Sequence, residues 1–170
     1  FTYNSKDNGP ARLRQQQAML PKMMNKVKMI TVSDLTENVE DIHPRDKRRA
    51  GLRLSYLALD DTYGQFTGDY ESPAFKEAYR KGDQLFITFD GVKKGLEIRG
   101  DKIEGLKIAG DDGVWKEAAA KVKDNMLVIP AGNLKTPVYV SYCFDDASIG
   151  NLFSTEGIPT GAFRGKVTEK

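Results

Sequence analysis

Along the first 65 residues the apolar positions recur mostly at helical spacing, and from about residue 66 onward they recur every second residue. The stretch ARLRQQQAMLPKMM (11–24) is made of good helix formers. Pro10 suits a first helical position, and Pro21 marks a break or kink. VKMITVSDL (27–35) is apolar and β-branched around Met29, Ile30 and Val32, which predicts a buried strand. A polar loop, DLTENVEDI, carries the chain on to His43.

The strongest helical pattern follows. Pro44 and Asp46 fit a first turn, where a missing N–H costs nothing and a carboxylate favours the exposed amides. Ala50, Leu54, Leu57 and Ala58 form one apolar stripe. Leu52, Tyr56, Leu59 and Tyr63 form the next, so the two together predict a broad buried face. Gly64 is placed to end the helix in a left-handed conformation.

In the second half, DQLFITFDG alternates through Leu85, Ile87 and Phe89, and GLKIAG offers Leu106 and Ile108. NMLVIP is a short apolar strand, and PVYVSYCF alternates through Val138, Val140, Tyr142 and Phe144. Asp90-Gly91, the DDG at 111–113 and Asp124-Asn125 supply turns between them. Short strands at this spacing predict a small antiparallel β-sandwich.

Composition narrows the function classes. Twenty-six Lys plus Arg against 24 Asp plus Glu leave a net charge of +2, which gives no general attraction to nucleic acid or an anionic membrane surface. The basic run RDKRR (45–49) reads as the solvated face of the helix rather than a targeting patch. Apolar runs such as LVIP are far shorter than a bilayer span, and no signal-peptide pattern is visible behind Phe1. Cys143 is the only cysteine, so a disulfide within the chain and a multi-cysteine metal cluster are both excluded. Its apolar surroundings predict a small buried hydrophobe.

His43 is the single histidine and the focus of candidate chemistry. A strand, an acidic loop, a His-Pro and a long helix can present a general base, with a neighbouring acceptor selecting the tautomer. By itself the pattern more often marks an ordinary surface or core histidine, here one at a helix start.

The stretch MITVSDLTENVEDIHPRDKRRAGLRLSYLALDDTYG (29–64) resembles the C-terminal end of the esterase domain of sialate O-acetylesterases, a branch of the SGNH hydrolases. A TxDL-like strand end, a DIHPxxK loop and a helix with an arginine-leucine pair, here Arg53-Leu54, carry that resemblance. LRQQQ (13–17), GLKIAGDDGVW (105–115), PVYVSYCF and the closing GNLFSTEGIPTGAFR (150–164) extend it over nearly the whole chain. The resemblance implies residues 1–65 as the C-terminal segment of an α/β, flavodoxin-like hydrolase domain and residues 66–170 as an accessory β-sandwich. It implies a carbohydrate O-acetylesterase acting on O-acetylated sugars, acetylated sialic acid among them, without metal or organic cofactor. An extracytoplasmic setting, periplasmic or secreted, is implied as well.

In that family His43 corresponds to the base, and Asp41 of the DIHP loop to its acid partner. Glu40, three residues before the histidine, and a loop carbonyl are the alternatives for that role. The nucleophile needs a serine in a GxSN-type turn together with a glycine and an asparagine for the oxyanion. None of Ser5, Ser33, Ser55, Ser72, Ser141, Ser148 and Ser154 has that setting. The resemblance therefore implies that an N-terminal remainder of the same enzyme supplies the nucleophile. The rival expectation is a non-catalytic carbohydrate-binding module, with Tyr70, Tyr79, Trp115 and Tyr139 stacking on sugar faces or simply packing internally. A third role for the β-rich half is to brace the hydrolase domain.

Overall fold

The computed structural model describes residues 2–5, 9–65, 68, 70–130 and 137–170. Among these residues two helices, α1 (Gly9–Met23) and α2 (Lys47–Asp61), precede ten strands. These are β1 (Ala74–Lys81), β2 (Gln84–Asp90), β3 (Leu96–Ile98), β4 (Leu106–Ala109), β5 (Trp115–Glu117), β6 (Lys121–Lys123), β7 (Met126–Pro130), β8 (Tyr139–Tyr142), β9 (Leu152–Ser154) and β10 (Phe163–Glu169).

Eight strands form one sheet in the order β5-β4-β8-β10-β1-β2-β7-β6, and β3 pairs with β9 in a separate ribbon. Cross-strand pairs such as Leu85↔Ile129 and Ile87↔Leu127 line one wing, and Leu106↔Tyr142 and Ile108↔Val140 line the other. All eight side chains belong to a single buried cluster with Leu96 and Leu152 of the ribbon. Strands so far apart in the sheet can share one core only if the sheet curls. The architecture is thus an α/β fold with a curled mixed sheet and two helices. It differs from the expected antiparallel sandwich because β10, the last strand, inserts between β8 and β1 and fuses the strands into one sheet, running parallel to β1.

The expected turns recur. Asp124 and Asn125 both take positive φ, 51° and 60°, between β6 and β7, the backbone that a two-residue hairpin requires. Several strands lie outside the alternating pattern. β1 (AFKEAYRK), β6 (KVK) and β10 (FRGKVTE) carry too many charges for periodicity to reveal them. In β10 the centre is Gly165, where a Cβ would stand 2.2 Å from Phe75 Cζ. The Phe75 ring lies there and stacks on Phe163 at 4.7 Å between centroids. Leu127 is fully buried in the core cluster, so Leu127→Ala is expected to destabilise the chain by about 2–5 kcal/mol. Urea denaturation checks this: the midpoint should fall while the slope is retained.

In the helical half three expectations are corrected. Helix α1 runs through Pro21 to Met23, with Met24 N–H still donating to the Leu20 carbonyl at 3.0 Å. Pro21 lies within the last turn, so little helix remains for its missing N–H to disrupt. Residues 27–32 form no strand, because no described strand lies beside them; Ser33–Leu35 is a 3₁₀ turn. A strand exists only as part of a ladder, whatever its apolar content. Helix α2 starts at Lys47, with Asp46 as its N-cap accepting from Arg49 N–H at 2.9 Å and Pro44 left in the loop.

The face of α2 is also less covered than its pattern predicts. Only Arg53 and Leu57 are buried, whereas Leu54 is 54% and Tyr63 66% exposed. Gly64 closes the helix at φ +61°. The expected boundary near residue 65 adjoins residues 66 and 67, which lie outside the described residues.

Candidate active site

Residues 36–46 form a loop that leaves the 3₁₀ turn at Leu35 and re-enters structure at α2. One side is held by the N-terminal segment. Thr36 Oγ1 donates to the Thr2 carbonyl at 3.3 Å, and Asn4 N–H donates to the Val39 carbonyl at 2.7 Å. The neck is held by Arg53 of α2. Its guanidinium donates to the Thr31 carbonyl at 2.7 Å and to both Asp34 carboxylate oxygens at 2.7 and 2.6 Å.

Within the loop, Asp41 Oδ1 accepts the His43 backbone N–H at 2.9 Å and lies 3.2 Å from His43 Nδ1. A two-residue spacing lets an aspartate bend back on its own turn in this way. The hydrogen bond from the His43 N–H is the main cause holding the Asp41 carboxyl below the ordinary carboxylate range, with the His43 ring adding to it. Glu40 points elsewhere: its Oε1 accepts from Asn4 Nδ2 at 2.8 Å.

The His43 side chain is 81% exposed, and among the described residues Nε2 has no hydrogen-bond partner. Nδ1 facing a carboxylate and Nε2 open is the arrangement of a general base whose tautomer is set by an acid. A concavity of about 260 Å³ beside it is lined by Thr36, Asn38, Asp41, His43 and Arg45 among others.

No described serine bonds to His43. Ser55 Oγ donates to its own helix at the Leu52 carbonyl, Ser72 Oγ accepts from Thr31 N–H, and Ser148 Oγ donates to Asp145. Ser154 is buried, with Oγ accepting from Ile158 N–H at 3.2 Å. The histidine and the aspartate are thus together on one turn, with no nucleophile beside them among the described residues. The Asp34–Arg53 pair is the part of this neighbourhood that sequence reasoning missed. The signal was present, as an aspartate ending the apolar run and an arginine on an apolar helix face.

Elsewhere a cavity of about 490 Å³ lies between α1, Leu57 and the sheet residues Phe75 and Phe163, and no residue of the 36–46 loop lines it. Of the aromatics considered for sugar stacking, Tyr70 is buried and bonds Asp60, and Tyr79 stacks on Phe86 at 5.3 Å. Trp115 carries the Arg164 guanidinium 4.8 Å from its centroid, while Tyr139 is 40% exposed. Cys143 is buried, and burial pushes its thiol up to about 12. Among the described residues no three His, Cys, Asp or Glu side chains converge as a metal site requires, and no helix is long and apolar enough to cross a membrane.

The fold of this chain has a solved counterpart among the carbohydrate acetylesterases. The structure concerned is that of a carbohydrate acetylesterase from Xanthomonas citri, which this chain matches with a TM-score of 0.72 and 30% identity over 79% of its own length. The chain spans 31% of that enzyme's length. Comparison with protein-family models gives no match, and comparison with curated proteins gives none either.

Proposed function

We propose that this chain is the C-terminal part of a carbohydrate O-acetylesterase of the sialate O-acetylesterase kind, and that it supplies the general base His43. The observation that carries the reading is the Asp41–His43 turn, with Nδ1 at 3.2 Å from the carboxylate, on a chain that shares its fold with about a third of a carbohydrate acetylesterase. Residues 1–65 would belong to the hydrolase domain and residues 66–170 to the accessory β-rich part. An extracytoplasmic location goes with this reading.

Two features of the helical half support it. The extended segment 27–32 has the apolar content of a sheet strand and no described partner. Apolar side chains on both helices are open to solvent, with Leu13 at 58%, Met23 at 72% and Leu54 at 54%. A larger hydrolase sheet packing on these helices would pair the one and cover the other.

In this mechanism a serine from the N-terminal remainder attacks the acetyl carbonyl. His43 Nε2 takes the serine proton and delivers it to the departing sugar oxygen, leaving an acetyl-serine. Water, deprotonated by the same ring, then attacks the acetyl-serine; the acyl–oxygen bond breaks, the ring returns its proton to the serine oxygen, and acetate leaves. The oxyanion donors also come from the remainder. Asp41 holds the ring in the tautomer with Nδ1–H and stabilises the imidazolium once formed.

The first test uses the chain alone. Purified protein should show no turnover of p-nitrophenyl acetate above the buffer rate, and the complete enzyme should show it. Turnover by the chain alone that disappears when one of its own serines is replaced would overturn the division of labour.

A further inference from the structure

We propose that the Asp34–Arg53 pair, with Arg49 and Asp46, is the device that positions the His43 turn for catalysis; this rests on His43 being the base. His43 is 81% exposed and its acid partner Asp41 is 45% exposed, so their own packing does little to fix them. The ring's position therefore depends on the backbone of loop 36–46, which Thr2 and Asn4 hold along one side and the arginines of α2 hold at its two ends.

Both ends meet on one face of α2. Arg53 reaches back to the Thr31 carbonyl and to both oxygens of Asp34, just before the loop begins. One turn earlier Arg49 bonds Asp46, the last residue of the loop, through Nε at 2.5 Å, and its Nη1 stands 4.0 Å from Asp34 Oδ2. Arginines four apart lie on the same helix face, so one carboxylate–guanidinium network spans the neck of the loop.

The chemistry of the pair suits positioning better than stability. The Arg53 and Asp34 side chains are only 7% and 12% exposed. Removing such charges from water offsets most of their attraction, so a pair of this kind adds little net stability. A two-pronged guanidinium–carboxylate contact does fix distance and orientation together, which a lysine's single ammonium cannot. A shift of about 1 Å at reacting atoms costs roughly 10²-fold in rate. Arg53 thus acts on the reaction only through the loop, as a positioning residue.

The single histidine makes the test direct, because one set of imidazole resonances reports on it. The variants are Arg53→Lys, Arg53→Met and Asp34→Asn, the last retaining shape and one acceptor oxygen. In the 170-residue chain each should leave the β-sheet methyl spectrum unchanged, while the His43 imidazole signals move toward those of free histidine and amides of residues 36–46 exchange faster. In the complete enzyme kcat should fall by about 10- to 100-fold with KM unchanged, and Arg53→Lys should rescue nothing.

Unchanged imidazole signals in folded variants, or an unchanged kcat, would overturn the proposal. So would global unfolding by all three, which would make the pair a determinant of the fold. If His43→Ala leaves the complete enzyme active, the base reading fails instead, and the imidazole shifts still report whether the pair holds the loop.

Discussion

Replacing His43 by alanine in the complete enzyme is expected to lower acetylesterase turnover by about 10³–10⁶-fold. The loss should fall on kcat, because the ring moves protons in the transition state rather than binding the sugar. Stability should change little: the side chain is 81% exposed, so its removal opens no cavity. Circular dichroism and the urea midpoint of the variant would therefore match the parent. Full activity in a folded His43→Ala protein would return the residue to an ordinary place before a helix.

The second large effect separates the two acidic neighbours. Asp41→Asn is expected to cost roughly 10²–10⁴-fold in kcat, while Glu40→Gln stays within a few-fold. The asparagine can still accept the His43 N–H in the turn, so the geometry survives. What it lacks is the charge opposite the imidazolium, and it can present the wrong hydrogen-bonding group to Nδ1. Glu40 bonds Asn4 and stands outside this exchange.

The Asp41 carboxyl is held low chiefly by the His43 backbone N–H, so it stays ionised at neutral pH and into the acid range. Its native-state value is depressed. The support it lends the folded turn is therefore present above the ordinary carboxylate range and is lost as pH falls through the lowered value. The protection of the amides of residues 38–43, taken relative to the intrinsic exchange rate at each pH, should fall only at the acid end. Equal, small losses in both variants would assign the acid's role to a loop carbonyl. A larger loss for Glu40→Gln would mean that the three-residue spacing governs.

Both expectations join a residue type readable in the sequence to a geometry that is not. An aspartate two before a histidine, closed by a proline, has few ways to turn, and the local chemistry of that stretch brings Oδ1 to the His43 amide. Whether Glu40 or Asp41 meets the ring was undecided by spacing. The structure separates them through Asn4, a residue 36 positions away, which occupies Glu40.

What the sequence by itself determined about this protein is local and periodic. It includes the two helices, the apolar strands β2, β4, β7 and β8, and the hairpin at Asp124-Asn125, where turn chemistry dictates the backbone. The buried Cys143 follows from near neighbours in the same way. Only the tertiary structure decided how the strands join. β10 enters the middle of the sheet parallel to β1, although its own residues, FRGKVTE, show no clear alternation. Its place depends on ladder partners distant in sequence and on a ring, Phe75, packed against a glycine. Tertiary structure alone also decided that VKMITVSDL, apolar enough for a strand, is none here. Backbone hydrogen bonds need a neighbour, and among the described residues none lies beside it. The Arg53–Asp34 contact belongs to the same class, since a charge on an apolar helix face finds its reason only in the partner that folding brings to it.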